Sequence, residues 1–409
     1  MYEPDAAAVA FLLGSEGQGW LATAERLPLT AASRLSDLAK LRVGLPANLA
    51  AAVLEQASLR RRATAKFSRA AQMLFSDAAL QQATSEVVGQ HRASRFAGLR
   101  VADLTCGIGG DSLGIGAQAA ILYACDLDHT RLRLARHNLA AYGLAARLIQ
   151  ADALRLPLKL AGLDAIFADP GRRSGARRIF VPSDYNPPLA TLLSTYRGVA
   201  MGLKVAPGID YEQLAWVDEV EIVSLNGEVK EAVLWTGGLA TTGVRRRATT
   251  LTASPNLCLQ TSVSFTDADA PPDCPVGPVG RYLYEPDGAI IRAGLVRHYA
   301  HQHGLWQLEP LIAYLSGDHL LVGVRAFYVE EAAPYSLKRL TARLRELHVG
   351  VAEIKKRGLD IDPDDLRKRL KLSGPHSRTI ILIRVGNQPM MYICVEEKAA
   401  AEGSAGILP

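Results

Sequence analysis

Residues 99–111 read LRVADLTCGIGGD, a short apolar run that ends in a polar, glycine-rich turn. An apolar run of this length, bounded by turn residues, predicts a buried strand, and the residues after Asp111 have the period of a helix. Glycine permits close approach of the backbone to a ligand, and Gly107 and Gly109 are placed for that purpose. The stretch therefore predicts a strand, a ligand-binding loop and a helix whose first turn adds N–H donors.

Short apolar runs that end in polar or turn residues recur after this stretch. They occupy residues 119–126, 146–152, 163–169 and 198–207, and helical patterns separate most of them. This alternation predicts βαβ units and a parallel sheet. Asn226-Gly227 lies between two further apolar runs and predicts a terminal hairpin. We expect a Rossmann-like α/β core with a mostly parallel, seven-stranded sheet.

Changes in period and composition divide the chain into five segments. Before the core, apolar residues recur at helical spacing, and residues 77–96 read as one helix that Ser76 or Asp77 caps. After the core come a segment rich in proline and aspartate and then a second α/β pattern. The predicted segments are a helical domain (1–95), the core (96–252), a linker (253–280), an α+β domain (281–398) and a disordered tail (399–409).

Bulk composition limits the class of protein. The 409 residues are 49% hydrophobic and 21% charged, with a net charge of +5 that permits an anionic partner. The five cysteines form no C-x-x-C, and the N-terminus resembles neither a signal peptide nor a membrane span. We expect a cytoplasmic protein with free thiols, no metal and no membrane segment, and the sequence leaves the oligomeric state open.

Acidic residues follow the second and third predicted strands. Asp126 ends the second strand, where a carboxylate can accept the ribose hydroxyls of a nucleoside. Asp128 can bind as well or cap the next helix, and Asp152 ends the third strand. A nicotinamide cofactor is the competing interpretation, but Ser112 stands at the third glycine position of G-x-G-x-x-G. A cofactor without phosphates also tolerates Asp111 better.

Four motifs resemble the class I S-adenosylmethionine-dependent methyltransferases, closest to their RNA-modifying members: DLTCGIGGD, YACDLDHTRLRLARHNL, QADAL and FADPGRR, within residues 75–240. VAEIKKRG and DPDDLRKRLKL in the C-terminal part are similar to a THUMP-like domain. The resemblance implies S-adenosylmethionine as the cofactor. It implies that Asp103, Gly107 and Gly109 line the methionine and ribose end, that Asp126 binds the ribose and that Asp152 binds the adenine. Thr105, Asp128 and Ala153 are also expected to bind the cofactor.

Asp169-Pro170 ends the fourth predicted strand, where the methyl acceptor is expected to meet the cofactor. Amino-methylating relatives often have Asp/Asn-Pro-Pro-Tyr here, whereas this chain continues with Gly171-Arg172. That difference puts amino-group methylation in doubt. Tyr185 or Phe180 could supply the missing aromatic ring, and Asn186-Pro187-Pro188 reads as the capped start of a helix.

Basic residues suggest RNA as the substrate. Arg172, Arg173, Arg177 and Arg178 follow the catalytic strand and are expected to hold phosphate. Residues 335–371 hold eleven lysines and arginines against six acidic residues, and Lys355-Lys356-Arg357 concentrates the charge. We expect an RNA methyltransferase. A methyltransferase of proteins or small molecules, and an RNA-binding protein with a relic methyltransferase fold, remain as alternatives.

Overall fold

The structure is a computed structural model that describes residues 2–172, 185–210, 214–321 and 324–397. The chain divides into two compact units, Met1–Ser264 and Phe265–Pro409. The predicted linker is wrong where it overlaps the sheet, because Leu259–Thr266 form a strand. All five cysteines are free thiols, as expected. None of the helices in the described residues is long and apolar enough to cross a membrane.

Helices form the first part of the first unit, as the period predicted. They are α1 (Ala6–Leu13), α2 (Ser15–Ala24), α3 (Arg34–Arg42), α4 (Ala47–Ala63), α5 (Asp77–Gln82) and α6 (Glu86–Ala93). The apolar side chains of α1, α2 and α4 share one core with Ile108 and Leu134 of the α/β region. These helices therefore pack against the elements that carry the glycine-rich loop.

The helix predicted over residues 77–96 is two helices, α5 and α6, with a break at residues 83–85. Ser76 caps α5 by accepting a hydrogen bond from Ala79 N–H. Lys66 caps the end of α5, because the Lys66 ammonium donates to the carbonyls of Leu80, Gln81 and Ala83 at 2.8–3.1 Å. A cation at the last carbonyls of a helix satisfies acceptors that have no partner within the helix.

The α/β region is built on one large sheet. Its strands are β1 (Arg100–Asp103), β2 (Ile121–Asp126), β3 (Arg147–Gln150), β4 (Ala165–Ala168), β7 (Ala200–Val205), β8 (Glu219–Leu225), β9 (Glu228–Trp235), β10 (Arg246–Ala253) and β11 (Leu259–Thr266). The helices α7 (Gly110–Gln118), α8 (His129–Ala141) and α9 (Leu189–Thr195) connect the parallel strands. Strands β1, β2, β3, β4 and β7 lie where the five apolar runs predicted them. A two-residue ribbon, β5 (Gly171–Arg172) with β6 (Tyr185–Asn186), stands apart from the sheet.

In the described residues the sheet has nine strands in the order β11-β10-β8-β9-β7-β4-β1-β2-β3. The five neighbouring strands β7, β4, β1, β2 and β3 are parallel to one another, and β9 runs antiparallel between β7 and β8. The β8–β9 turn is the predicted hairpin, with Asn226 and Gly227 both at positive φ. The Rossmann-like core is confirmed, and β10 and β11 extend its predicted seven strands at one edge.

The second unit is an α+β structure on a mixed sheet. Its strands are β12 (Tyr282–Tyr284), β13 (Trp306–Gln307), β14 (Leu315–Gly317), β15 (Ala326–Pro334), β16 (Val349–Arg357), β17 (His376–Val385) and β18 (Gln388–Glu397). Its helices are α10 (Gly288–Arg292), α11 (Val296–Gln302), α12 (Leu337–Glu346) and α13 (Pro363–Leu370). Strand β16 lies at one edge, parallel to β17. Helices α12 and α13 cover one sheet face through Leu340, Leu344, Leu366 and Leu370.

Candidate active site

A cavity of about 630 Å³ lies at the carboxyl ends of strands β1 to β4. Open parallel sheets bind ligands at this edge. Its walls come from the loop after β1, from the ends of the next three strands and from Asn186-Pro187. Helix α5 and the residue after it also contribute Ala78, Ala79, Gln82 and Ala83. This wall was not predictable from the sequence, because it depends on the break between α5 and α6.

Backbone hydrogen bonds hold the glycine-rich loop over the sheet. Cys106 N–H donates to the Cys125 carbonyl at 2.8 Å, and Gly109 N–H donates to the Cys106 carbonyl at 2.7 Å. Gly109 has φ 89°, and a Cβ there would lie 3.4 Å from Cα of Ala135. A side chain at this position would meet both backbone strain and α8. Gly109 therefore sets the turn, while Gly107 and Gly110 line the cavity.

Asp103 supports this loop from below. Its carboxylate is fully buried and accepts hydrogen bonds from Thr105 N–H at 3.2 Å and from the Ser112 hydroxyl at 2.5 Å. Burial raises the pKa of Asp103 to about 7. Asp103, Gly109 and Pro170 are not among the described residues that line the cavity. Their contacts with cofactor or acceptor stay predictions.

The structure brings the other predicted cofactor residues together around the cavity. Asp126 accepts Gly107 N–H at 3.0 Å and Asp128 N–H at 2.9 Å, which fixes its carboxylate beside the loop. Asp128 caps α8, the alternative that the sequence left open, and also lines the cavity. Asp152 is exposed on the cavity wall next to Ala153.

Asp169 lies on the cavity wall where β4 ends. Its N–H donates to the Thr105 hydroxyl at 2.8 Å, so the cofactor loop and the predicted acceptor turn are joined directly. The side chain is 33% exposed and forms an ion pair with Lys204 of β7, with 2.6 Å between Oδ2 and Nζ. Pro170 behind it is buried.

Lys204 belongs to a network of five buried or partly buried charges, of which the sequence analysis missed Lys204, Arg92 and Glu231. Its ammonium also lies 3.7 Å from Oδ2 of Asp111, whose other oxygen pairs with Arg92 of α6. Arg92 donates to both oxygens of Glu231 in β9 at 2.6 and 2.7 Å. Lys204 and Glu231 are charged residues within apolar strands, and that pattern is the signal that could have identified them.

Opposing effects set the pKa values in this network. Burial disfavours the charged form of Asp111, yet Lys204 and Arg92 hold its pKa below the usual value. Burial raises the pKa of Asp169 and of Glu231, against the attraction of Lys204 and Arg92. The pKa of Lys204 is raised, because Asp111 and Asp169 outweigh its burial. The cations are thus held charged, and the carboxylates carry the titratable protons of the group.

Tyr185, one of the two aromatic residues proposed for stacking, is not among the residues that line the cavity. Tyr185 is buried, and its hydroxyl accepts Ala206 N–H at 2.9 Å. Phe180 lies outside the described residues. Pro188, not Asn186, is the N-cap of α9, so the predicted cap is wrong. Asn186 instead pairs with Gly171 in the β5–β6 ribbon and lines the cavity.

The predicted phosphate-binding arginines fall mostly outside the described residues. Arg173, Arg177 and Arg178 lie there, and of Arg172 the structure describes only the backbone in β5. Their role stays a prediction.

The run Lys355-Lys356-Arg357 does not form one patch, because successive residues of a strand face opposite sides of a sheet. Lys355 is 16% exposed and pairs with Glu285 at 2.7 Å and Glu353 at 3.3 Å. Arg357 lies on the same side, 3.5 Å from Glu285. Lys356 lies on the opposite face of the sheet, the face that α13 covers. The prediction of a single basic cluster is wrong here.

The charge of the cavity indicates which nucleoside cofactor fits it. Among the described residues, the charged side chains on its wall are Asp111, Asp126, Asp128, Asp152, Asp169 and Arg131. Five carboxylates against one guanidinium repel a pyrophosphate and attract a cation. S-adenosylmethionine carries a sulfonium and no phosphate. The assignment of Asp126 to its ribose, of Asp152 to its adenine and of the loop after β1 to its methionine stays a prediction.

Fold and cavity together define a class I S-adenosylmethionine-dependent methyltransferase. Residues 101–170 match the family described as a methyltransferase domain, and residues 324–396 match the THUMP domain-like family. Residues 5–63 match a domain of unknown function. Two uncharacterized S-adenosylmethionine-dependent methyltransferases of Mycobacterium tuberculosis, one from each of two strains, are 43% identical over 350 residues, which are 83% of this chain and 94% of theirs. The chain belongs to this family, and its cofactor is S-adenosylmethionine.

A solved structure has the same fold over almost the whole chain. The crystal structure of a putative methyltransferase from Porphyromonas gingivalis superposes with a TM-score of 0.76 at 24% identity. The match covers 98% of this chain and 100% of the other. The fold therefore extends beyond the methyltransferase core to the helical and α+β parts.

Proposed function

We propose that the protein methylates RNA at the cavity edge formed by Asp169. The observation that carries this proposal is the basic surface of α12 and α13 in the THUMP domain-like region. Lys338, Arg345, Arg369 and Lys371 are exposed there and form no ion pair with any described residue. Unpaired cations on adjacent helices are free to contact phosphates, which supply most of the affinity for nucleic acid.

Neighbouring cations on the same helices are already paired. Arg343 contacts Glu331 and Glu346, and Arg367 contacts Asp364 at 2.6 Å. The surplus of positive charge is therefore concentrated on the four unpaired side chains. We assign RNA binding to these side chains rather than to Lys355 and Arg357.

At the other end of the proposed reaction, Asp169 positions the acceptor. S-adenosylmethionine supplies an electrophilic methyl group, and transfer needs the acceptor atom in line with it at about 3–3.5 Å. Lys204 and Thr105 fix the Asp169 carboxylate and backbone, leaving one carboxylate oxygen and the carbonyl for hydrogen bonds to a base. Asn186 across the ribbon offers an exposed amide on the same wall. This arrangement can orient a nucleobase through hydrogen bonds alone.

The identity of the acceptor is tested with S-adenosylmethionine labelled in the methyl group. Purified protein is incubated with a total extract from cells lacking the gene, and the product is treated with ribonuclease or with protease. We expect label that ribonuclease removes and protease leaves. Label that only protease removes would make the protein a protein methyltransferase, and label in small molecules alone would also contradict the proposal.

A matched pair of variants tests the basic surface. Arg369→Ala with Lys371→Ala should lower RNA methylation at limiting RNA by about thirtyfold, since two lost phosphate contacts at about 1 kcal/mol each cost about 2 kcal/mol. Arg367→Ala removes a paired cation two residues from Arg369 and should change RNA methylation by less than twofold. Equal effects of the two changes would show that this surface does not hold the substrate.

A further inference from the structure

The five charges of the Lys204 network beside the cavity do not balance. Arg92 and Lys204 supply two positive charges, while Asp111, Asp169 and Glu231 supply three negative ones. Arg92 and Glu231 are 1% and 2% exposed and lie away from the cavity surface. Asp111 and Asp169 both line the cavity, and they share the single ammonium of Lys204. The excess negative charge therefore faces the cavity.

This excess lies at a defined end of the cavity. The adenosine carboxylates follow β2 and β3, whereas Asp169 follows β4 on the other side of β1. Strands are spaced by about 4.8 Å, so the ends of β2 and β4 are about 10 Å apart. Asp111, in the first turn of α7, and Asp169 thus border the part of the cavity away from the ribose. A nucleoside held by Asp126 and Asp152 directs its 5′ substituent there.

The donor and the product of methyl transfer differ in charge at that substituent. S-adenosylmethionine has a sulfonium cation, and the product S-adenosylhomocysteine has a neutral thioether. We propose that Asp111 and Asp169 form a charge-selective wall that binds the sulfonium donor in preference to the thioether product. The wall distinguishes two molecules of almost equal shape, and it weakens the hold on the cofactor once the methyl group has left.

Burial raises the pKa of the Asp169 carboxyl, and the charge of Lys204 opposes that rise by favouring the carboxylate. Lys204 keeps the carboxylate in place, because it is 13% exposed and contacts both aspartates. The proposal concerns the methyl donor and does not depend on whether RNA is the acceptor.

The experiment is calorimetric titration with three ligands: S-adenosylmethionine, S-adenosylhomocysteine and sinefungin, in which a protonated amine replaces the sulfonium. Asp169→Asn removes one charge with little change of shape. We expect the dissociation constants of the two cationic ligands to rise about tenfold, as for a unit charge several ångströms away at intermediate dielectric. The constant for S-adenosylhomocysteine should change less than threefold.

Asp152→Asn is the matched control, since it removes a carboxylate at the adenine end and should weaken all three ligands by the same factor. Asp111→Asn repeats the test at the second member of the wall and should follow Asp169→Asn. Equal weakening of donor and product in both wall variants would overturn the proposal, and so would unchanged donor affinity in both. Melting curves of each variant verify that the fold is intact. Loss of RNA methylation in Asp169→Asn without a change in ligand preference would support the acceptor role of Asp169 and overturn the charge-selective wall.

Discussion

At Asp103 a carboxyl group is buried under the cofactor loop with two neutral hydrogen-bond donors as its direct partners. Burial raises its pKa in the folded protein to about 7, against an ordinary value near 3.8. The folded state therefore retains a proton that the unfolded chain releases as the pH rises above 4. The free energy of unfolding should fall between about pH 4 and pH 7, by up to about 4 kcal/mol from this group.

Asp103→Asn should remove that fall, because the amide keeps one acceptor and cannot ionise. Urea unfolding at several pH values measures how the free energy of unfolding changes with pH. Pulsed hydrogen exchange of the peptide that carries β1 follows the same change locally. We expect wild type and variant to differ more at pH 8 than at pH 5. Parallel pH profiles would show that Asp103 is charged in the folded protein as in the unfolded one.

Single residues were predictable where their position in the pattern sets their role. Asp126, Asp152 and Asp169 end strands, and the ends of parallel strands meet at one edge, so the sequence placed them at the cavity. Lys204 and Glu231 were not predictable in this way. Arg92 lies 139 residues before Glu231, and Asp111 in α7 is also far in sequence from Lys204 in β7, so only the tertiary fold joins each pair.

At the scale of elements, helix α6 is held to the sheet by charge as well as by packing. Its Gly89 carbonyl lies so close to α7 that a Cβ on Gly114 would approach within 2.6 Å of it. Its residues His91 and Arg92 contact Glu221 and Glu231 on two neighbouring strands. Periodicity predicted a helix here but not its separation from α5, because Lys66 caps α5 through a tertiary contact.

Arg92→Met leaves Glu231 buried without its guanidinium, and an unpaired buried charge typically costs about 3–5 kcal/mol. Adding Glu231→Gln should recover much of this loss, since the remaining pair is neutral. Urea unfolding of the two single variants and the double variant gives the coupling energy. Additive losses in the double variant would show that Arg92 and Glu231 do not stabilise each other. The control Arg62→Met breaks an exposed ion pair with Asp77 and should cost less than about 1 kcal/mol.

At the scale of the whole molecule, the sequence predicted both α/β patterns because strand and helix periods are strong over many residues. It erred at their junction, where proline and aspartate indicated a linker and β11 begins instead. Composition could not decide this, since an edge strand with mostly exposed side chains resembles a loop. The nine-stranded sheet of the described residues follows from that strand and β10.

The net charge of +5 is small, so its distribution decides whether the protein binds RNA. Binding through phosphates releases counterions, and the logarithm of affinity falls with the logarithm of salt by about 0.7 per phosphate contact on a single strand. If Arg369 and Lys371 contact phosphates, replacing both by alanine should reduce that slope by about 1–2. Filter binding of the methylated RNA from 50 to 300 mM salt measures the slope. Arg367→Ala should leave it unchanged, because Asp364 already neutralises that guanidinium. An unaltered slope in the double variant would place the RNA-binding surface elsewhere on the molecule.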